Sequence, residues 1–284
     1  MITVDHHSRN DKPLVAMVNL PPLPGSGNYD GRPVGAITER AVAEAQLLQR
    51  AGFNWLLLQN THDAPTRASV PTTTLTAMAA IGEAVSHAFS GIIGVNVHKN
   101  DGPGAIAVAH AIGASFVRVK VLVGACLGPE GVLQGNAGAV SALRRDLGSD
   151  IEVWADLGEL TSVPIAPVGR DVLADWAGRF GCADRLIVTG SNFEQSVAAV
   201  CEAREGTSLP VIIGGRTTPD TVGEALALAN GVIVGSCLRV DGRTSGDLQE
   251  QQVNDYISAV RAAGYPISPS PAAGPVLKPV GGRT

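Results

Sequence analysis

The chain alternates short, continuously apolar runs with longer amphipathic runs, and this alternation repeats eight times along its 284 residues. A short run that is apolar throughout is typical of a parallel strand, because such a strand is buried on both faces. This restricts the fold to an α/β architecture. The runs predicted as strands are Leu14–Val18, Trp55–Leu58, Gly91–Val97, Phe116–Val121, Ile151–Ala155, Arg185–Val188, Val211–Ile213 and Val232–Val234.

The intervals between these strands carry helical patterns. In the first interval Ala41, Ala45 and Leu48 recur along one side at helical spacing. A glycine directly after such a run, as Gly52 after Ala51, is typical of a helix C-terminus. The predicted helices are Ile37–Ala51, Leu75–Phe89, Ala105–Ile112, Ala137–Leu147, Val172–Phe180, Phe193–Ala203, Thr221–Ala229 and Leu248–Ala263.

Eight strand–helix units predict a closed (β/α)8 barrel, the TIM barrel, for which about 250 residues suffice. An open, doubly wound sheet is the alternative, but no GxGxxG follows the first strand, and the proline-rich residues 19–25 are there instead. We expect one barrel domain over residues 13–265, an N-terminal extension over 1–12, and a disordered tail over 266–284, where Pro, Ser and Gly are frequent.

Two long loops interrupt the regular alternation. Val123–Asn136 follows the fourth predicted strand, and Gly158–Arg170 follows the fifth. Both come after the C-terminal end of a strand, which is the side where barrel enzymes place their active sites. We therefore expect these loops to border a functional site.

Composition and charge narrow the range of partners. The formal net charge of −5 argues against a nucleic-acid partner, which usually requires a basic surface. The four cysteines form no CxxC or zinc-like spacing, and no other metal-ligand motif occurs, so we expect neither a metal nor a cofactor and place the chain in a reducing cytoplasm. No apolar run approaches the roughly 20 residues of a membrane span, so any membrane contact is expected to be peripheral.

Polar residues follow the predicted strands closely. Strand ends meet at one face of a barrel, so these residues are predicted to bind a substrate together. They are Asn19, Asn60, Asp63, Asn96, Asp101, Arg118 and Thr189. Arg118 and Lys120 alternate along one strand and share a face, which brings two cations into the barrel mouth if that face is inward. Alternatively, the two cations pair with Asp156 and Asp101 in a structural network.

Three residues are predicted to carry acid–base chemistry. Asp156 directly follows an apolar run, and Arg118 or Lys120 beside it would keep its carboxylate ionised. An ionised carboxylate there can accept a substrate proton or orient a hydroxyl group, while Lys120 or His98 serves as the acid.

Glycine-rich turns follow the last two predicted strands. Gly214, Gly215 and Arg216 follow the seventh strand, and Gly235 and Ser236 follow the eighth. Exposed backbone amides at these places form the phosphate site of many barrels, so the turns predict an anion cradle and a small phosphorylated ligand. The alternative is that glycine serves only to let the chain turn.

Seven motifs, spread over about residues 14 to 245, occur in a fixed order. They are LPPLPG at 20–25, NTHDAP at 60–65, GVNVHKND at 94–101, FVRV at 116–119, AD at 155–156, IVTG at 187–190 and VIVGS at 232–236. In order and spacing they resemble the BtpA/SgcQ family, which is named for a cyanobacterial photosystem I biogenesis protein. The resemblance implies a barrel related to phosphate-binding barrels. Family members include photosystem assembly factors and proteins encoded among sugar-utilisation genes.

The chain departs from the family pattern at three places. Gln59 stands where relatives usually carry Glu, residues 157–160 read LGEL where a Lys-His pair is usual, and Gly214-Gly215-Arg216 replaces the usual Gly-Ser. If the replaced Glu, Lys or His performs chemistry in relatives, this chain has altered or lost that chemistry.

These observations leave three functions open. The polar strand ends favour an enzyme, a lyase, an isomerase or one that cleaves glycosyl bonds, acting by acid–base chemistry on a phosphorylated sugar or nucleoside-like substrate. The altered fifth-strand motif also allows a non-catalytic assembly or stability factor for a membrane protein complex. A ligand-binding protein without turnover is the third. Whether the chain forms a homo-oligomer stays open.

Overall fold

The protein is described from a computed structural model covering residues 12–267. Residues 1–11 and 268–284, which hold nearly all of the predicted N-terminal extension and of the predicted disordered tail, lie outside the described residues.

Eight parallel strands close into a barrel, as predicted. Hydrogen bonding runs β1–β2–β3–β4–β7–β9–β10–β11 and returns to β1, where Leu14 pairs with Val232. The barrel strands are β1 (Leu14–Asn19), β2 (Trp55–Gln59), β3 (Ile92–Asn96), β4 (Phe116–Val119), β7 (Glu152–Asp156), β9 (Arg185–Val188), β10 (Val211–Ile213) and β11 (Val232–Val234). The (β/α)8 fold is therefore confirmed, and the open sheet is excluded.

Eight helices alternate with the barrel strands. They are α1 (Val34–Ala51), α2 (Thr72–Ala88), α3 (Gly102–Ala111), α4 (Ala137–Asp146), α5 (Arg170–Arg179), α6 (Phe193–Glu205), α7 (Val222–Leu228) and α8 (Glu250–Ala262). Two single 3-10 turns, Ser236–Leu238 and Val240–Gly242, lie between β11 and α8. Helix α1 ends as predicted, with Gly52 in the left-handed conformation at φ 120°.

The two long loops fold into a small sheet, which the sequence analysis did not predict. Strands β5 (Ala125–Gly128), β6 (Gly131–Gln134) and β8 (Val163–Pro164) pair antiparallel in the order β6–β5–β8. The hairpin turns at Pro129 and Glu130, and Gly131, the first residue of β6, adopts a φ of 93°. These strands are two to four residues long and are too short to leave an alternating pattern in the sequence.

The barrel interior is filled by a cluster of large apolar side chains. The rings of Phe116 and Trp154 stack with their centroids 4.0 Å apart, and Gly94 leaves the space that the Phe116 ring occupies. The remaining members are Val15, Trp55, Leu57, Ile187, Ile212 and Ile233. A second, larger core lies between the strands and the helices. The packed interior leaves the barrel open to a ligand at the C-terminal ends of the strands.

Candidate active site

A layer of polar residues lies directly above the apolar interior. Side chains alternate along a strand, so the residue two positions after an inward apolar residue also points inward. Gln59, Arg118 and Asp156 therefore point inward, since they stand two positions after Leu57, Phe116 and Trp154. By the same rule Asn19, Thr189 and Gly214 point inward on other strands. All six line one cavity of about 180 Å³, here called the mouth cavity.

Arg118, Lys120 and Asp156 form an ion-pair cluster in the wall of this cavity. Arg118 donates Nε to Asp156 Oδ2 at 2.8 Å and a terminal nitrogen to Oδ1 at 2.7 Å. Lys120 Nζ lies 3.6 Å from Asp156 Oδ1. Both strand-4 cations thus point inward and pair with Asp156, an arrangement that the acid–base interpretation and the structural alternative both expect. A bidentate pair of this kind fixes the direction of the guanidinium.

Glu159 joins this cluster to a second buried cation. Its Oε1 lies 4.0 Å from Lys120 Nζ, and its Oε2 lies 3.2 Å from Lys99 Nζ. Lys99 also pairs with Glu130 Oε1 at 3.3 Å and donates a hydrogen bond to Thr161 Oγ1. Lys99 and Glu130 are almost fully buried. The network therefore connects the loop after β3 with the β5–β6 hairpin and the loop after β7.

Burial and nearby charge change the acidity of the cluster. Burial and the positive charge of Arg118 lower the pKa of Lys120 to about 8, although Asp156 and Glu159 oppose the shift. Burial disfavours the charged form of Glu159, but Lys120, a hydrogen bond from Thr161 and Lys99 outweigh it and lower its pKa to about 2. Near neutral pH, Lys120 can therefore exchange a proton at little cost.

His98 lies near the cluster, and its imidazole is neutral. Burial, followed by the charges of Lys120 and Lys99, lowers the pKa of His98 to about 3. Its backbone N–H donates to Asn60 Oδ1 at 2.6 Å, whereas its ring Nδ1 is buried without a partner within residues 12–267. An imidazole with this pKa does not carry a proton to donate as imidazolium at neutral pH.

Two polar atoms in the mouth-cavity residues lack partners. Gln59 Oε1 and Thr189 Oγ1 are buried and make no hydrogen bond within the described residues. Asn19 and Thr61 are instead bonded to each other, with the Thr61 hydroxyl donating to Asn19 Oδ1 at 2.7 Å. Buried polar groups are nearly always satisfied, so the two free oxygens indicate where a ligand or water binds.

Among the predicted substrate-binding residues outside the lining of the mouth cavity, four hydrogen-bond to neighbouring loops and strands: Asn60, Asp63, Asn96 and Asp101. Asp63 accepts from Leu23 N at 2.8 Å and from Asn60 Nδ2 at 2.8 Å, which ties the loops after β1 and β2 together. Asn96 donates to the carbonyl of Arg118 at 2.6 Å. Asp101 caps α3 by accepting from Gly104 N at 2.9 Å, and it takes no part in the Arg118–Lys120 network. Such short polar side chains satisfy backbone groups that a strand or helix end leaves unpaired.

The glycine-rich turns lie beside the same mouth. Gly214 lines the mouth cavity, and Gly215 and Arg216 follow it with φ of 152° and 66°. The amides of Gly215 and Arg216 donate no hydrogen bond to any residue from 12 to 267. Gly235 and Ser236 stand at the end of β11, where Ser236 begins a 3-10 turn, and neither lines the mouth cavity.

A second cavity of about 260 Å³, here called the side cavity, adjoins the mouth cavity. It lies between the small sheet and α5, and its lining includes Cys126, Pro164, Leu173 and Trp176. The two cavities share part of their linings, namely Lys120, Asp156, Gly158, Glu159, Leu160 and Thr189. The ion-pair cluster thus stands at their junction.

Sequence reasoning did not select Gln59, Lys99, Glu130 or Glu159 for the site. In the sequence, Gln59 and Glu159 stand out only as departures from the family pattern. The alternation rule reaches Gln59 from Leu57, so that residue was accessible to a stricter count along the strand. Glu130 is 31 residues from Lys99 and lies in a hairpin, and no local signal links the two.

Within residues 12–267, no group of three or more His, Cys, Asp or Glu side chains is arranged to hold a metal ion. Over the same range, none of the helices is both long enough and apolar enough to cross a membrane.

Comparison with known proteins finds related sequences over nearly the whole chain. The model of the BtpA family matches residues 10–262. An uncharacterized protein from Thermococcus kodakarensis is 33% identical over 252 residues, which cover 88% of this chain and 95% of that protein. The photosystem I biogenesis protein BtpA from Synechocystis is 33% identical over 266 residues, 91% of each chain.

Solved structures share the fold at low sequence identity. Thiamine phosphate pyrophosphorylase from Pyrococcus furiosus superposes with a TM-score of 0.56 and 13% identity, covering 90% of this chain and 98% of that one. Tryptophan synthase from Mycobacterium tuberculosis gives a TM-score of 0.57 and 15% identity, covering 89% and 94%. At these identities the likeness concerns the barrel architecture.

Proposed function

This chain belongs to the BtpA family, and from that premise we propose that it is an enzyme that performs acid–base chemistry on a small phosphorylated compound at the mouth of its barrel. The observation that carries the proposal is Lys120, a buried lysine with a pKa lowered to about 8 that lines the mouth cavity. Strongly shifted groups in a cavity at the C-terminal end of a barrel are typical of catalytic acids and bases.

The roles within the cluster follow from its geometry. Lys120, whose pKa of about 8 lets it give up its proton slightly above neutral pH, accepts a proton from the substrate and returns it later in the cycle. Both carboxylate oxygens of Asp156 are engaged by Arg118, and Oδ1 also faces Lys120, so Asp156 acts as a positioning residue for the two cations. His98 is neutral, and its backbone N–H is bonded to Asn60 Oδ1.

The phosphoryl group is assigned to the side of the mouth formed by Gly214, Gly215 and Arg216. The amides of Gly215 and Arg216, which have no acceptor within residues 12–267, offer donors beside the cavity, and Gly214 lets a ligand approach the backbone closely. A Cβ on Gly214 would lie 2.5 Å from Thr189 Oγ1, so a larger residue there would close the cavity.

The turnover test compares the wild type with Lys120→Met on a panel of phosphorylated sugars and nucleotides, with conversion followed by mass spectrometry. The wild type is expected to convert at least one compound, with a rate that rises with pH through about 8. Lys120→Met should lose roughly 10²–10⁴ in rate and the pH dependence with it. Lys12→Met is the control, because Lys12 lies away from both cavities. Equal turnover by Lys120→Met, or none by the wild type, contradicts the proposal.

The binding test uses inorganic phosphate and the melting temperature. Phosphate at about 100 times its Kd should stabilise the wild type by roughly 2.7 kcal/mol. Gly215→Val should abolish that gain, because valine disfavours a φ of 152° and its side chain would cover the amides. The exposed Gly138→Val is the control for the substitution alone, and a retained shift in Gly215→Val would argue against the cradle.

A second candidate function, binding to another protein without catalysis, is favoured by the outer face of the small sheet. Leu127 is directly opposite Val132 on one side and Val163 on the other, and all three are more than half exposed. A row of exposed apolar side chains is typical of a contact surface. The Synechocystis relative is named for photosystem I biogenesis, which agrees with such a role.

Gene replacement in the native host separates the two functions. If protein contact is the function, cells that carry Val132→Lys no longer grow like the wild type, whereas cells that carry Lys120→Met do. The enzyme proposal predicts the reverse pattern.

A further inference from the structure

The side cavity has the chemistry of a site for an uncharged, flat group. Its walls are mostly apolar, with Val121, Val123, Leu157, Leu160 and Leu173 among the lining residues. Cys126 and Pro164 of the small sheet border it on one side, and Trp176 of α5 borders it on the other. Trp176 is only half-buried, unlike Trp55 and Trp154, so part of its ring is available to a ligand.

The charged residues around the side cavity are already neutralised by partners. Arg170 donates to Glu202 at 2.7 Å and its backbone N–H donates to the same carboxylate at 2.8 Å. At the junction, Lys120 lies 3.6 Å from the carboxylate of Asp156 and 4.0 Å from that of Glu159. Within the described lining there is thus no unpaired cation that would hold a phosphoryl group in the side cavity. An anionic group is instead favoured in the mouth cavity, beside which the amides of Gly215 and Arg216 have no acceptor within residues 12–267.

The junction of the two cavities is the place where a ligand with one part in each cavity would meet the ion-pair cluster. Lys120, Asp156 and Glu159 border both cavities. A molecule with one part in each cavity would therefore place the connection between its parts beside the Lys120 ammonium group. A compound filling only the mouth cavity would leave the apolar walls in contact with water, which is unfavourable.

We propose that the substrate is bipartite, with a phosphorylated portion in the mouth cavity and a flat, uncharged aromatic or heterocyclic ring in the side cavity against Trp176. This inference rests on the proposed function, since it takes the mouth cavity as the place of the phosphorylated portion. It narrows the substrate class from small phosphorylated compounds in general to those that carry a ring.

Three probes separate the two cavities: ribose 5-phosphate, adenosine and adenosine 5′-monophosphate. Binding is measured by calorimetry and by tryptophan fluorescence. The monophosphate should bind the wild type at least about tenfold more tightly than ribose 5-phosphate, because apolar burial adds to phosphate binding. It should also change the fluorescence of Trp176, and this change should be absent in Trp176→Leu.

Two variants keep the test informative. Trp176→Leu removes the ring at a half-buried position, and Ala166→Phe fills the side cavity from an exposed position on its rim. Both should bring the affinity for the monophosphate close to that for ribose 5-phosphate, which itself should be unchanged. The control is Phe180→Leu, an exposed aromatic residue on α5's C-terminal side outside both cavities.

The outcomes distinguish the two proposals. If ribose 5-phosphate and the monophosphate bind the wild type equally, the bipartite substrate is overturned and the phosphate site stands. If adenosine binds and neither phosphorylated probe binds more tightly than adenosine, the ring site stands and the phosphate site fails. If none of the three binds, both proposals are overturned.

Discussion

Asp156 shows how one carboxylate sets the state of two cations. It accepts two hydrogen bonds from Arg118 and lies 3.6 Å from Lys120, and the side chains of Asp156 and Arg118 are 2% and 5% exposed. Removing one partner of a buried pair leaves the other charge uncompensated, which costs more than the pair contributes in net stability. The cluster therefore depends on Asp156 for both its geometry and its charge balance.

Asp156→Asn should lower the free energy of unfolding by about 3–5 kcal/mol, because Arg118 is left buried without a carboxylate. The loss of a negative charge should also lower the pKa of Lys120 below about 8. The pH at which turnover rises should fall with it. Chemical denaturation and a pH–rate profile measure the two effects. Asp146→Asn, which removes an exposed partner of Arg145, should cost at most about 1 kcal/mol. A stable Asp156→Asn with an unmoved profile would argue against the positioning role.

His98 should make stability sensitive to acid. Its folded-state pKa is lowered to about 3 from 6.5, so the unfolded chain binds a proton below pH 6.5 that the folded chain does not. The contribution of His98 to the free energy of unfolding is thus fully present above pH 6.5 and is lost as the pH drops toward 3. By about pH 5 the loss should reach about 2 kcal/mol. His98→Gln should remove this part of the acid dependence in denaturation curves, whereas the exposed His87→Gln should leave it unchanged.

At the scale of residues, sequence reasoning was limited by what local pattern encodes. Alternation along β4 predicts that Arg118 and Lys120 share a face, and the structure places both inward. The roles of Asp63 and Asp101 could not be read in this way, because a carboxylate after a strand serves equally well as a ligand or as a partner for loop amides. Only the contacts of each oxygen distinguish the two uses.

At the scale of elements, one buried lysine ties the β5–β6 hairpin and the loop after β7 to the same point of the barrel. Lys99 pairs with Glu130 in the hairpin at 3.3 Å and with Glu159 in the loop at 3.2 Å. The small sheet covers the side cavity, so this connection also fixes the wall of the proposed ring site. Lys99 links three segments that are remote in sequence.

Lys99→Met should leave the buried Glu130 without a cation, remove one of the two cations that face Glu159, and loosen the small sheet from the barrel. We expect faster hydrogen exchange at the amides of Cys126 and Leu127, with little change in the barrel strands. Lys99→Arg keeps the charge and should restore most of the protection. Unchanged exchange in Lys99→Met would show that the remaining contacts of the hairpin, such as the hydrogen bond from Thr66 to Glu130 and the apolar packing of Cys126, hold the sheet without the lysine.

The barrel strands were predictable as elements, and the small sheet was not. Runs such as Trp55–Leu58 are apolar throughout because both faces of the strand are covered, and this signal survives in a single sequence. Strand β8 has two residues, Val163 and Pro164, both exposed. Its position depends on pairing with Leu127 and Cys126 across the loop, which periodicity does not record.

At the scale of the whole molecule, the eightfold count predicts closure but not the contacts that secure it. The seam between β1 and β11 is reinforced by Arg239, whose side chain is fully buried. Its guanidinium donates to Glu44 of α1 at 2.6 and 3.1 Å and to the carbonyls of Met17 and Gly246. This one residue ties the first strand–helix unit to the segment that leads into α8.

Arg239→Met should therefore destabilise the closed barrel as a whole. The loss leaves Glu44 with only Arg40 as a partner and leaves two carbonyls near a buried apolar side chain, and we expect up to about 3–5 kcal/mol less free energy of unfolding in denaturant. The transition should remain a single step, since the first and last units lose their connection together. The double variant Arg239→Met with Glu44→Leu should recover part of the loss, because it removes a buried carboxylate that would keep only the partly exposed Arg40 as its partner. Arg243→Met, at an exposed position in the same segment, should change stability by no more than about 0.5 kcal/mol. Equal stability of Arg239→Met and Arg243→Met would mean that strand pairing and helix packing alone hold the ends of the barrel together.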